Sequence, residues 1–123
     1  MSYLAYVLSE QDRSTLLTNV CSCVGEIVAH HATAIFPVPD NMESPMTIHD
    51  ILVTGYAYDD KVSAVIVEID GTSFRKDGKI LHITISVNRN NGGKPVMSND
   101  LIAKGFTKFS KPFTIKGRLE VVH

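Results

Sequence analysis

The sequence predicts a single α+β domain built mainly from antiparallel strands. Three observations carry this. Short β-branched and aromatic runs follow one another through turn dipeptides, which join chain neighbours as antiparallel pairs. Only two stretches have helical character, one near each end of the strand-rich region. With 123 residues, 44% apolar and 20% charged, the chain can bury one core but not two, so residues 1–123 read as one domain.

The elements follow in order. Tyr3 to Leu8 is aromatic and aliphatic enough for a strand. Ser9 with Asp12 at the third helical position resembles a capping box, and Leu16, Leu17, Val20, Cys21 and Val24 then recur at helical spacing. A helix is therefore expected over 10–23, stopped by Gly25. Ile27 to Phe36 reads as one strand ended by Pro37 and Pro39. Residues 37–48, with three prolines, form a loop long enough to be a functional flap. His49–Tyr58 and Val62–Ile69 are a hairpin turning at Asp59-Asp60, and Asp70-Gly71 and Asp77-Gly78 are further turns. Ile80–Val87 is the next strand. Asn88 to Lys94 is a polar glycine-rich loop, Ser98-Asn99 caps a short helix closed by Gly105, and Phe113–Val122 is the last strand.

Charge and composition narrow the function. Twelve basic against thirteen acidic residues leave a net charge of -1, so a long duplex gripped by phosphate neutralisation is not expected. A nucleic-acid partner would be small, or held at one end. The longest aliphatic run, Ala64 to Val67, is far shorter than the roughly 18 residues of a membrane span. Met1-Ser2-Tyr3-Leu4 lacks the charged and apolar regions of a signal peptide. No membrane partner is expected, and the expected location is the cytoplasm. Cys21 and Cys23 form C-x-C, neither the redox C-x-x-C nor half of a familiar zinc site, and read as two reduced structural thiols.

Two stretches carry chemistry: His31-Ala32-Thr33-Ala34 and His82-Ile83-Thr84-Ile85. In a strand, residues i and i+2 share a face, roughly 7 Å apart at the Cα. Each segment thus presents an imidazole and a hydroxyl on one side, with Ala32 and Ala34, or Ile83 and Ile85, toward the core. Two imidazoles can act as general base and general acid near neutral pH, and threonine hydroxyls can donate to a phosphate gaining charge in the transition state. His31, His82, Thr33 and Thr84 are accordingly the candidate catalytic set. His30 falls on the opposite face of the same strand, His49 reads as a surface residue, and His123 is terminal. No acidic residue stands at a familiar ligand spacing from the histidines, so no metal and no cofactor is expected. Lys94, the Gly92-Gly93 amides, Ser98 and Asn99 form a candidate substrate-binding set, because free backbone N–H groups suit anions.

The repeated His-x-Thr-x resembles the double signature of the 2H phosphoesterase superfamily. The segment Gly92-Gly93-Lys94-Pro95-Val96-Met97-Ser98-Asn99-Asp100-Leu101 and the ending Phe113 to Val121 resemble, more narrowly, the cyclic phosphodiesterase domain of plant and fungal tRNA ligases. The resemblance covers roughly residues 26–122. It implies a compact bilobal fold of two antiparallel sheets related by a pseudo-two-fold, one H-x-T strand per lobe facing a central cleft. It also implies metal-independent action on 2′,3′-cyclic phosphate RNA ends, 2′-5′ linkages or small cyclic nucleotides. This chain departs from the pattern in its motif spacing of only 51 positions, in the small Ala34, and in its short length.

The expected function is a phosphodiesterase for such RNA ends or small nucleotides, a range that includes phage-type degradation of cyclic nucleotide defence signals. The alternatives are a non-catalytic nucleotide- or RNA-end-binding module of the same fold, and an interaction domain in which the motif pair is coincidence. The presence of both histidines and both threonines favours the catalyst.

Overall fold

The structure, a computed structural model, describes residues 1–20 and 25–123. Cys21 and Cys23, and the expected last turn of the first helix, lie outside the described residues. The elements are β1 (Ser2–Leu8), α1 (Glu10–Asn19), β2 (Glu26–Ile27), β3 (His31–Val38), β4 (Ile48–Tyr58), β5 (Val62–Ile69), β6 (His82–Val87), a single 3-10 turn (Arg89–Asn91), α2 (Met97–Ala103) and β7 (Thr107–Val122).

Among the described residues all strand pairings are antiparallel, in the order β2-β6-β3-β1-β7-β4-β5, and β5 also pairs with β6. The sheet therefore closes on itself as a small barrel with two helices. Two separate sheets, one per lobe, were expected; β6 prevents that division by using both of its edges, β5 on one and β2 with β3 on the other. Cumulative strand twist curls a sheet of this width until its ends can meet.

The main core gathers Ile51 and Val53 of β4, Val65, Val67 and Ile69 of β5, Ile83 and Ile85 of β6, Ile115 of β7, and Leu16 of α1. A second cluster seats Ile102 of α2 on Ala57, Ala64 and Ile66. With the first core on one face and α2 on the other, β5 is covered on both sides, which explains why Ala64 to Val67 is a continuous apolar run rather than an alternating one.

Ser9 caps α1 as its spacing predicts: the Asp12 N–H donates to Ser9 Oγ at 3.1 Å and Ser9 Oγ donates to Asp12 Oδ2 at 2.6 Å. The second oxygen of Asp12 accepts from the Lys116 N–H, tying the helix to β7. α1 ends at Asn19 because Val20 is already extended, earlier than the predicted 23.

Three strand boundaries differ from expectation. The strand expected over 27–36 is broken at Ala29, whose φ of 44° turns the chain between β2 and β3. Val28 and Ala29 still donate to Ile85 and Thr84 carbonyls, so the kink keeps both segments along β6. Pro37 does not end β3, which runs to Val38. The ladder with β1 is irregular between the Ser2 and Leu4 pairings, where a residue without an N–H is tolerated. β7 starts at Thr107 rather than Phe113, and Pro112 falls in the register shift opposite Val53 and Gly55. A Cβ on Gly55 would sit 2.7 Å from the Thr107 carbonyl, so only glycine lets these strands approach there.

Candidate active site

β3 and β6 are neighbours, paired at Ala32 and Ile83. Both of these side chains are fully buried, so the residues on either side of each point away from the core. The antiparallel register sets His31 opposite Thr84 and Thr33 opposite His82. The two H-x-T strands thus lie side by side in one sheet, rather than on separate lobes. The histidines occupy one diagonal, where residues stand about 7–8 Å apart.

The four side chains line one cleft of about 370 Å³, large enough for a nucleotide-sized ligand. Val28, Phe36, Pro95 and Val96 supply its apolar wall, and Arg75, Lys79 and Asn99 its other polar groups. Phe36 is half exposed, and Tyr3 packs against both Phe36 and His31, with ring centroids 6.1 and 5.1 Å away.

Each catalytic candidate has a defined setting. His82 Nδ1 lies 2.9 Å from the Ile80 carbonyl oxygen. A carbonyl only accepts, so Nδ1 carries the hydrogen and Nε2 is left to exchange a proton with a ligand. Burial lowers the His82 pKa; the Ile80 carbonyl opposes this, and the Arg75 and Lys79 charges add to the lowering. His31 is also pushed down, to about 4, first by burial and then by its neighbours His30 and His82. Thr84 Oγ1 shares a hydrogen bond of 2.9 Å with Ser98 Oγ.

His30 does not turn to the opposite side. Its Nδ1 is 2.8 Å from His31 Nδ1, because the chain is kinked at Ala29 rather than extended through it. Ala34 is not a core residue either. It is the extra residue of a bulge, since Leu4 pairs with Ile35 and Ala5 with Thr33.

The expected substrate-binding set is divided. Asn99 lines the cleft; its Nδ2 donates to the Val96 carbonyl, and its buried Oδ1 has no partner. Ser98 does not line the cleft: it is fully buried in the first turn of α2, behind Thr84, and Val96 holds the cap position instead. Lys94 is exposed and outside the cleft lining. The loop amides are already spent, with Asn91 and Gly93 donating to Asn88 O, Gly92 to Arg89 O, and Met97, Ser98 and Asn99 to the carbonyls three residues earlier. Gly93 answers to packing, since a Cβ there would meet the Lys61 carbonyl oxygen at 2.2 Å.

The cations of the cleft are instead Arg75 and Lys79. The hairpin over 73–81 brings them together: Leu81 N–H bonds Ser73 O, Arg75 N–H bonds Lys79 O, and Asp77-Gly78 turns the tip. Basic residues flanking a turn just ahead of His82 were the available sequence signal. His49 lies outside the cleft and is largely covered rather than on the surface, bonded to Thr47 Oγ1 at 2.7 Å and Asp70 Oδ2 at 3.0 Å. Among the described residues no group of three or more His, Cys, Asp or Glu is placed to hold a metal ion, and no helix is long and apolar enough to cross a membrane.

The closed antiparallel barrel gathers two imidazoles, two hydroxyls and two cations around one cleft, groups that can exchange protons with an anionic ligand and donate hydrogen bonds to it. Residues 26–120, about three quarters of the chain, match the model of the fungal tRNA ligase phosphodiesterase domain, a 2H phosphoesterase family, and the chain belongs to that family. No curated protein and no solved structure matches the chain. Membership implies cyclic phosphodiesterase activity on RNA ends.

Proposed function

We propose that the protein opens 2′,3′-cyclic phosphate ends of RNA to a phosphomonoester by metal-independent acid–base catalysis. The observation that carries this reading is the pairing of Ala32 with Ile83, which sets His31 and Thr33 against Thr84 and His82 in one cleft. His31, whose pKa is pushed down to about 4, is the base: it takes a proton from water as the water oxygen bonds to phosphorus. His82 is the acid: its proton goes to the ribose oxygen as that phosphorus–oxygen bond breaks. A bound phosphate monoanion favours the imidazolium this step requires. Thr33 and Thr84 donate to the non-bridging oxygens. Phe36 offers a face for the base, and Asn99 Oδ1 accepts from a ribose hydroxyl or base amino group.

The test is incubation with 2′,3′-cyclic mononucleotides, an RNA ending in a 2′,3′-cyclic phosphate, 2′-5′ and 3′-5′ dinucleotides, and cyclic di- and trinucleotides, each with and without EDTA. The cyclic-ended substrates are expected to turn over at unchanged rate in EDTA. Loss of activity restored by one divalent ion would refute metal independence. Tight binding with no turnover of any substrate would select the binding-module reading.

Ser98 has a positioning role within this mechanism. Ser98→Ala removes the hydroxyl that holds Thr84, and kcat is expected to fall roughly five-fold, the worth of one hydrogen bond of about 1 kcal/mol. Thr84→Val removes the donor itself and should cost more, up to about 10²-fold. With Thr84→Val in place, Ser98→Ala should have no further effect on kcat, whereas a purely structural role would leave the two losses independent.

A further inference from the structure

We propose that Arg75, assisted by Lys79, forms a second anion subsite that holds the 5′ phosphate of the terminal nucleotide while the H-x-T residues hold the cyclic phosphate. The proposal rests on the phosphodiesterase reading above and adds to it a substrate preference.

The Arg75 side chain is only 7% exposed, yet it lines the cleft. Its Nη2 meets Asp77 Oδ2 at 2.9 Å, but its buried Nε has no acceptor. A buried guanidinium N–H without a partner is costly, and guanidinium groups match phosphate oxygens in geometry. Asp77 does not answer the whole group: it meets one nitrogen, Nη2, and leaves Nε without an acceptor. The hairpin that carries Arg75 is itself tied down, by Arg75 N–H to Lys79 O at 2.7 Å and by Lys79 N–H to Asp77 Oδ1 at 3.1 Å. The guanidinium is therefore placed before any ligand arrives.

Charge counting sets the ligand. A cyclic phosphate carries one negative charge, and one imidazolium with two hydroxyls already answers it. Arg75 and Lys79, less Asp77, leave one further positive charge in the same cleft. A nucleotide with a 5′ phosphate supplies the matching anion one ribose away. A nucleoside 2′,3′-cyclic phosphate with a free 5′ hydroxyl does not.

The experiment compares two substrates that differ only there, a nucleoside 2′,3′-cyclic phosphate with a 5′ hydroxyl and the same compound with a 5′ phosphate. The wild type is expected to favour the 5′-phosphorylated substrate at least tenfold in kcat/KM. Arg75→Gln should remove most of that preference, chiefly through KM, Arg75→Lys should restore part of it, and the exposed Lys79→Gln should reduce it less. An equal loss on both substrates would place Arg75 on the reacting phosphate and overturn the proposal, as would no loss on either. Calorimetric binding of a nucleoside 2′,5′-bisphosphate against the 2′-monophosphate reads the same subsite without turnover. A wild type that turns over neither cyclic substrate would overturn the phosphodiesterase reading. The bisphosphate preference, and its loss in Arg75→Gln and Lys79→Gln, would still decide the subsite. Equal binding of the two monoester ligands would overturn it.

Discussion

His31→Ala and His82→Ala are each expected to lower kcat on a 2′,3′-cyclic nucleotide by about 10²-fold or more, the usual worth of a positioned acid or base. The double variant should lose little beyond the worse single one, because both groups act on one transition state. The pH profile makes the prediction specific. Burial and neighbouring charge push both imidazoles down in the free protein, His31 to about 4. The base must be neutral and the acid protonated, so kcat/KM, which reports the free enzyme, should peak below pH 6.5 and already be falling at neutrality. The kcat profile should lie at higher pH, because the bound phosphate anion stabilises the imidazolium. In His31→Ala the acidic limb should disappear, and in His82→Ala the basic one. Wild-type turnover in the double variant would show that the chemistry lies elsewhere.

The same burial makes a prediction about stability that needs no substrate. The folded state lowers the His31 pKa from 6.5 to about 4, so the unfolded chain binds this proton more readily than the native protein. The stability that His31 contributes is complete above pH 6.5. It is lost as the pH falls toward about 4, amounting to about 3 kcal/mol across that window. His82 is shifted in the same direction and adds to the loss. Asp40 is also shifted downward, chiefly by its bond from Ser2, and its contribution is lost mainly as the pH falls through and below its ordinary 3.8, so it overlaps only the acid end of the His31 window. Urea unfolding at pH 7 and at pH 4.5 measures the difference. His31→Gln, which cannot titrate, should flatten the pH dependence substantially. An unchanged slope in that variant would assign the acid sensitivity to other groups.

Much of this was legible locally. Alternation along 31–34 and 82–85 depends only on strand geometry, and it places His31 with Thr33 and His82 with Thr84 whatever the rest of the chain does. The turns behave in the same way. Asp70 and Gly71 take φ of 53° and 80° in a two-residue turn closed by both backbone bonds between Ile69 and Thr72, as a short Asp-Gly step allows. The cap at Ser9 needs only residues three apart. By contrast, the rule that proline ends a strand failed at Pro37, and the last strand starts well before the expected Phe113 and runs through Pro112. Each proline sits where the ladder with another strand shifts register, and no local pattern reveals a partner's bulge.

The sequence by itself determined an antiparallel α+β domain, the family, and two imidazole–hydroxyl strands, because alternation, turns and motifs are properties of near neighbours. Only the tertiary structure decided that the sheet closes, that β3 and β6 meet at Ala32 and Ile83, and that His30 swings beside His31. It also exchanged roles expected of the substrate-binding set. Ser98 is drawn under Thr84 by the packing of α2, Lys94 stays outside, and the hairpin over 73–81 carries Arg75 and Lys79 into the cleft. These outcomes depend on which distant strands share hydrogen bonds, and that is fixed by burial of the common core rather than by the residues adjacent in the chain.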